Sequence, residues 1–322
     1  MKFLVTGGAG FIGSHLCERL VRDGHDVVVL DDLSTGSFQN VEPLEGKPNF
    51  RFVLGSVCDH AVVDSLTVDS DFVVHLAAAV GVQTIMTKPV QSLITNIGGT
   101  EAALEAASRH SKPILIASSS EVYGKSAKVP FAEDEDVLLG ATAKIRWSYA
   151  YAKAVDECLA IAYAHEGRAK PVIARFFNTT GPRQTGRYGM VLPSFVDAAL
   201  KNQPLRVHGD GQQSRCFGHV RDVVESIVRL MQASNAIGQV YNIGNDEEIS
   251  ILNLAKKVCA ATGSTSEIVM IPYDQAYGVG FEDMQRRVPR VSKLEAAIGF
   301  RPRTSLDQII ADVIAEKRSV RV

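Results

Sequence analysis

The feature that most constrains this chain lies at its start, where Thr6-Gly7-Gly8-Ala9-Gly10-Phe11-Ile12-Gly13 follows a short apolar run and leads into a helical pattern carrying Leu16, Leu20 and Val21. Gly7, Gly10 and Gly13 make a G-x-x-G-x-x-G spacing. A strand that turns this tightly into a helix lets the backbone approach a pyrophosphate closely, and its charge then rests on the helix N-terminus. A glycine triplet alone is weak support. Asp31, at the end of the next apolar run, strengthens it, because a carboxylate about 20 residues on accepts hydrogen bonds from the adenosine ribose. The same charge repels a 2′-phosphate, so NAD is expected rather than NADP. Gly7, Gly10, Phe11, Ile12 and Gly13 are the expected contacts, with Asp32 as the rival ribose ligand.

Six short β-branched runs, at 3–6, 27–30, 50–54, 72–75, 114–117 and 172–175, alternate with longer helical stretches. The alternation predicts an α/β fold with a doubly wound parallel sheet. Beyond Phe176 the pattern loosens into Gly and Pro clusters, with helices expected near 220–232, 251–261 and 306–317. The expected division is an NAD-binding domain over 1–175, joined by parts of 218–245. A smaller, partly interleaved substrate domain takes 176–217 and 246–322.

Composition narrows the function classes. With 46% hydrophobic and 22% charged residues and a formal net charge of -2, the chain has no basic footprint for nucleic acid or an anionic membrane. No window reaches the roughly 18 apolar residues of a membrane span. The five cysteines are odd in number and lack any C-x-x-C pair, which suits reduced thiols and a cytoplasmic location. Histidines and cysteines show no metal-ligand spacing, so no metal is expected.

Three stretches fall where a doubly wound sheet places its chemistry. His75-Leu76-Ala77-Ala78-Ala79 ends the fourth run with side chains small enough for a cofactor to pass, which makes Leu76, Ala77 and Ala78 candidate contacts. Ser118-Ser119-Ser120-Glu121 ends the fifth. Tyr149 and Lys153, four apart, share one helix face, where the lysine charge would lower the phenol's pKa. Such a tyrosine takes a hydroxyl proton as hydride leaves the same carbon, and Ser119 would hold the reacting oxygen. Taken alone, Tyr149 and Lys153 read better as an ordinary helical surface pair, and the rival reading of Glu121 is a structural carboxylate beside a turn.

The glycine loop, the Ser119 region, Tyr149 with Lys153, Arg175-Phe-Phe-Asn178 and Arg215-Cys-Phe217 together resemble the extended short-chain dehydrogenase/reductases that act on nucleotide-sugars. That resemblance spans nearly the whole chain. It implies bound NAD, oxidation of the sugar at C4, a nucleotide-diphosphate-sugar substrate and a homodimer with a helix-bundle interface.

Within the group, Ser120-Glu121, the stretch 131–153 with Arg146, Gln213 to Phe217, and Tyr277 to Pro289 with Arg287 look like UDP-glucuronate decarboxylases. The resemblance makes Ser119, Glu121, Tyr149, Lys153 and Arg287 candidate catalytic residues. Ser120, Arg146, Asn178, Arg187, Arg215 and Arg287 are then candidate substrate ligands. Arg215 with Asn178 suits the diphosphate, because a guanidinium grips phosphate through two parallel hydrogen bonds. The expected product is UDP-xylose or a UDP-4-keto-pentose. Phe281, where such a decarboxylase carries tyrosine, and Arg290, after the Arg-x-Pro stretch, depart from the pattern. The rival activities are a UDP-sugar 4-epimerase acting on UDP-glucose or UDP-glucuronate, then a 4,6-dehydratase, then a non-catalytic NAD-binding protein.

Overall fold

The computed structural model describes residues 1–186, 189–278 and 281–319. Its centre is a seven-stranded sheet. Strands Lys2–Thr6 (β1), Asp26–Asp31 (β2), Phe50–Leu54 (β3), Phe72–His75 (β4), Pro113–Ser119 (β5) and Lys170–Phe176 (β6) are joined by Val240–Ile243 in the order β3-β2-β1-β4-β5-β6-(240–243). Every neighbouring pair is parallel. The expected doubly wound α/β architecture is therefore present, and the second sheet neighbour of β6, Val240–Ile243, comes from far along the chain.

Both faces of the sheet are covered, which is why its strands read as continuous apolar runs rather than alternating ones. Successive residues nevertheless part company. Val5, Val29 and Leu115 join one core with Leu16 and Leu20 of helix Phe11–Arg22 (α1) and with Val223 and Ile227 of helix Val220–Gln232. Leu4, Val28 and Ile116 join the opposite core with helices His60–Val68, Pro89–Arg109 and Ser148–His165. Each fully buried side chain of this kind contributes roughly 1.5–3 kcal/mol. A third core holds three further helices together, Val191–Ala199 through Phe195 and Val196, Ile251–Thr262 through Leu254 and Val258, and Leu306–Ser319 through Ile309 and Val313.

The topology positions the site. β1 lies between β2 and β4, so strand order reverses there and a crevice opens beyond the carboxyl ends of the strands. Thr6 and His75 end the two strands side by side, Thr6 Oγ1 lying 2.9 Å from His75 Nδ1 and Thr100 Oγ1 3.2 Å from Nε2. Burial, with Lys153 nearby, lowers the His75 pKa to about 3, so this ring is a neutral structural link.

Outside the main sheet, Ser214–Cys216 pairs antiparallel with Glu248–Ser250 and parallel with Arg286–Arg287. That register sets Arg287 directly opposite Arg215.

Candidate active site

A single cavity of about 1550 Å³ runs from the glycine loop to the 273–287 segment. Sites for one small ligand occupy roughly 300–1,000 Å³, so this cavity has room for a dinucleotide and a second nucleotide together. At its first end Gly7 has φ +72°, and a Cβ there would stand 2.7 Å from the Ala77 nitrogen. A Cβ on Gly13 would stand 2.2 Å from the Gly7 carbonyl oxygen. The loop can close over β4 only without side chains, which leaves its amides and the α1 N-terminus open to a pyrophosphate.

Asp31 is buried against this loop, with Oδ2 accepting from Ala9 N and Oδ1 from Leu33 N, each at 2.9 Å. Burial raises its pKa, and the two amides work against that rise. Each oxygen keeps a free lone pair for a ribose hydroxyl. Asp32 is exposed and accepts from Ser34 N at 2.9 Å, yet it also lines the cavity. Phe11, Ile12, Gly10, Leu76, Ala77 and Ala78 complete this end. The donors, the open cradle and the acid fit NAD.

The middle of the cavity carries Ser119, at the end of β5, with Tyr149 and Lys153 on helix Ser148–His165. Tyr149 departs from expectation, because its pKa is raised rather than lowered. Burial is the largest cause; the Lys153 charge and a hydrogen bond from Ser119 oppose it without overcoming it. The lysine is weakened as a partner because its Nζ lies 2.9 Å from the carboxylate of Asp156, one turn on and fully buried.

At the far end five charged side chains meet. Glu121 Oε2 lies 2.7 Å from Arg146 Nη1, and Glu121 Oε1 lies 2.7 Å from Arg287 Nη1. Asp283 sits behind them, 2.8 Å from Arg215 Nη2, 3.6 Å from Arg146 Nη2 and 3.9 Å from Arg287 Nη2. Burial pushes the Glu121 carboxyl up, but Arg287 and Arg146 outweigh it and hold the pKa at about 2. Arg215 is displaced the other way, to about 10, by burial and by Arg287 opposite it.

Three guanidiniums thus face two carboxylates, and the buried Nε atoms of Arg146 and Arg287 have no hydrogen-bond partner. Buried cations in excess of their counterions call for a further anion. Tyr277 and Phe281, stacked with ring centroids 4.3 Å apart, wall this end, and the Arg146 guanidinium lies 5.8 Å from the Phe281 ring.

Every candidate named from sequence lines this one cavity except Arg187, which lies outside the described residues. Ser120 and Asn178 are among them. Sequence reasoning missed Asp283, Tyr273 and His208. Asp283 stands four residues before Arg287 in a stretch already singled out, and an acid amid Arg215, Arg146 and Arg287 is a signal visible only once distant loops are brought together. His208 Nδ1 and the Tyr277 hydroxyl are 3.0 Å apart across 69 residues.

Comparison with known proteins places these features. The family described as GDP-mannose 4,6-dehydratase matches residues 4–313. A UDP-N-acetyl-α-D-glucosaminuronate decarboxylase of Bacillus cytotoxicus is 42% identical over 320 residues, covering 99% of this chain and 98% of its own length. UDP-glucuronic acid decarboxylase 1 of Xenopus tropicalis is 36% identical over 309 residues, covering 95% of this chain and 70% of its own. Among solved structures, the UDP-glucuronic acid 4-epimerase of Bacillus cereus, in complex with UDP-glucuronic acid and NAD, superposes with a TM-score of 0.89 at 29% identity, covering 99% of this chain and all of its own.

Proposed function

This chain belongs to the GDP-mannose 4,6-dehydratase family, and on that premise we propose that it is an NAD-dependent decarboxylase of a UDP-hexuronate, either UDP-glucuronate or its 2-acetamido counterpart. The observation that carries this reading is the buried Glu121–Arg146–Arg287 cluster. It shares one cavity with Ser119, Tyr149 and Lys153, and it holds more positive charge than negative. The diphosphate of any UDP-sugar balances Arg215; a uronate carboxylate adds a second anion for Arg146 and Arg287, which a neutral hexose does not.

NAD, bound along the glycine loop and Asp31, supplies the acceptor for the C4 hydride. Tyr149 takes the proton of the C4 hydroxyl, Ser119 holds the C4 oxygen, and Lys153 stands beside the phenol. With C4 a ketone, the sugar is a β-keto acid. The bond from C5 to its carboxyl carbon then breaks, carbon dioxide departs, and the electron pair moves to the C4 oxygen, where Tyr149 and Ser119 stabilise it. Arg146 and Arg287 orient the carboxylate before it leaves. Glu121 fixes both guanidiniums, which in turn hold its carboxyl in the ionised form. The enolate takes its C5 proton from water, giving the 4-keto-pentose, and return of the hydride to C4 would then give the pentose. Arg215 and Asn178 take the diphosphate.

The same reading extends to assembly. Val90 and Ile94 on helix Pro89–Arg109, with Val155 and Ile161 on helix Ser148–His165, are exposed apolar side chains on two helices that pack together, a surface suited to a second copy of this chain. Among the described residues no helix is long and apolar enough to cross a membrane. The described cysteines are all free thiols, in keeping with a cytoplasmic place.

Incubation with UDP-glucuronate, UDP-N-acetylglucosaminuronate and UDP-glucose, followed by mass spectrometry and proton NMR, tests the assignment. A UDP-pentose or UDP-4-keto-pentose from one of the uronates is expected. Unchanged mass with an inverted C4 centre makes the protein a 4-epimerase, the activity of its Bacillus cereus neighbour.

A further inference from the structure

None of the steps above uses Asp156. It lies one turn beyond Lys153 on helix Ser148–His165, with its side chain wholly shielded from solvent. Oδ2 is 2.9 Å from Lys153 Nζ, and Oδ1 has no hydrogen-bond partner. On an exposed helix face an i,i+3 pair of this kind counts for little, but here both charges are buried and neither tolerates the loss of the other.

The groups around the pair leave the lysine no rival counterion of equal reach. From β4 comes His75, neutral through burial. The turn Ser120–Tyr123 brings Glu121, which two arginines hold, and β5 brings the uncharged Ser119. Glu157, on the same helix, is bound by Arg175 at 2.7 and 2.9 Å and by the Ser118 hydroxyl. Asp156 and Glu121 both bear on Tyr149 as negative charges, opposite in effect to Lys153.

We infer that Asp156 is a positioning residue that fixes Lys153 at the cavity wall and cancels much of its charge at Tyr149. The inference rests on the base role proposed for Tyr149.

Ultraviolet titration of the phenolate tests this, with each protein at saturating NAD measured against its Tyr149→Phe counterpart so that the other tyrosines cancel. Asp156→Asn should lower the Tyr149 midpoint by about one pH unit or more, the scale of one buried charge at short range. Asp156→Glu, which keeps the charge, should stay near the wild type. An unchanged or higher midpoint in Asp156→Asn overturns the inference.

Should that variant not fold, Lys153→Met/Asp156→Leu removes both buried charges. Its midpoint is expected within about half a unit of the wild type's, whereas a rise of about a unit or more means that the lysine acts at full charge and contradicts the role given to Asp156. The titration reads a proton and not turnover. A protein that shows the shift yet releases no carbon dioxide keeps the Asp156 assignment and loses the reaction.

Discussion

At the scale of the residue, burial and neighbouring charge compete, and the outcome differs from site to site. Arg287 and Arg146 win at Glu121, so its folded pKa lies near 2, below the ordinary carboxylate value. A depressed acid contributes stability that is fully present above the unfolded pKa, about 4.3, and is lost as pH falls through the folded value. Acid titration of unfolding should therefore show a loss between about pH 4.5 and 2 that is shallower in Glu121→Gln, as followed by circular dichroism. Burial wins at Tyr149, which sequence spacing alone presents as a lowered phenol. Spacing reports which side chains share a helix face and is silent on how deeply they lie. Loss of the phenol proton acceptor in Tyr149→Phe should lower kcat by about 10²–10⁴ without impairing NAD binding, measured by steady-state kinetics and by dinucleotide titration.

Elements turn these residues into a site. The glycine loop, the acid ending β2 and the strand ends were legible because each depends on local sequence: a tight turn, a carboxylate closing a strand and an apolar run with both faces covered. Residues 50–54 and 72–75 form the strands expected of them. Pairing across the chain was not legible, because Ser214–Cys216 and Arg286–Arg287 are too short to show a period of two and their partnership is decided by the loops that carry them. Asp283 escaped notice for the same reason. At Gly13 an added methyl meets the Gly7 carbonyl oxygen at 2.2 Å, backbone that cannot swing aside. Gly13→Ala should therefore cost stability by several kcal/mol and abolish NAD binding, as read by thermal unfolding with and without the dinucleotide.

For the whole molecule, one cavity joins the dinucleotide end, the tyrosine and the arginine-rich end, and the proposal is that the three act on one sugar. The assembly has its own test. Val90 and Ile94 are 69% and 59% exposed, and Val90→Glu/Ile94→Glu should convert a dimer to a monomer in light scattering while leaving the fold's circular dichroism intact. The reaction itself is tested most directly by supplying UDP-glucuronate and UDP-N-acetylglucosaminuronate labelled with ¹³C at the carboxyl carbon and measuring labelled carbon dioxide. Release from one of them by the wild type, falling by about 10²-fold or more in Arg287→Ala, is the predicted result. Labelled carboxyl retained in a product of unchanged mass, with C4 inverted, would contradict a decarboxylase and leave the Glu121–Arg146–Arg287 cluster as an anchor for a carboxylate that never departs.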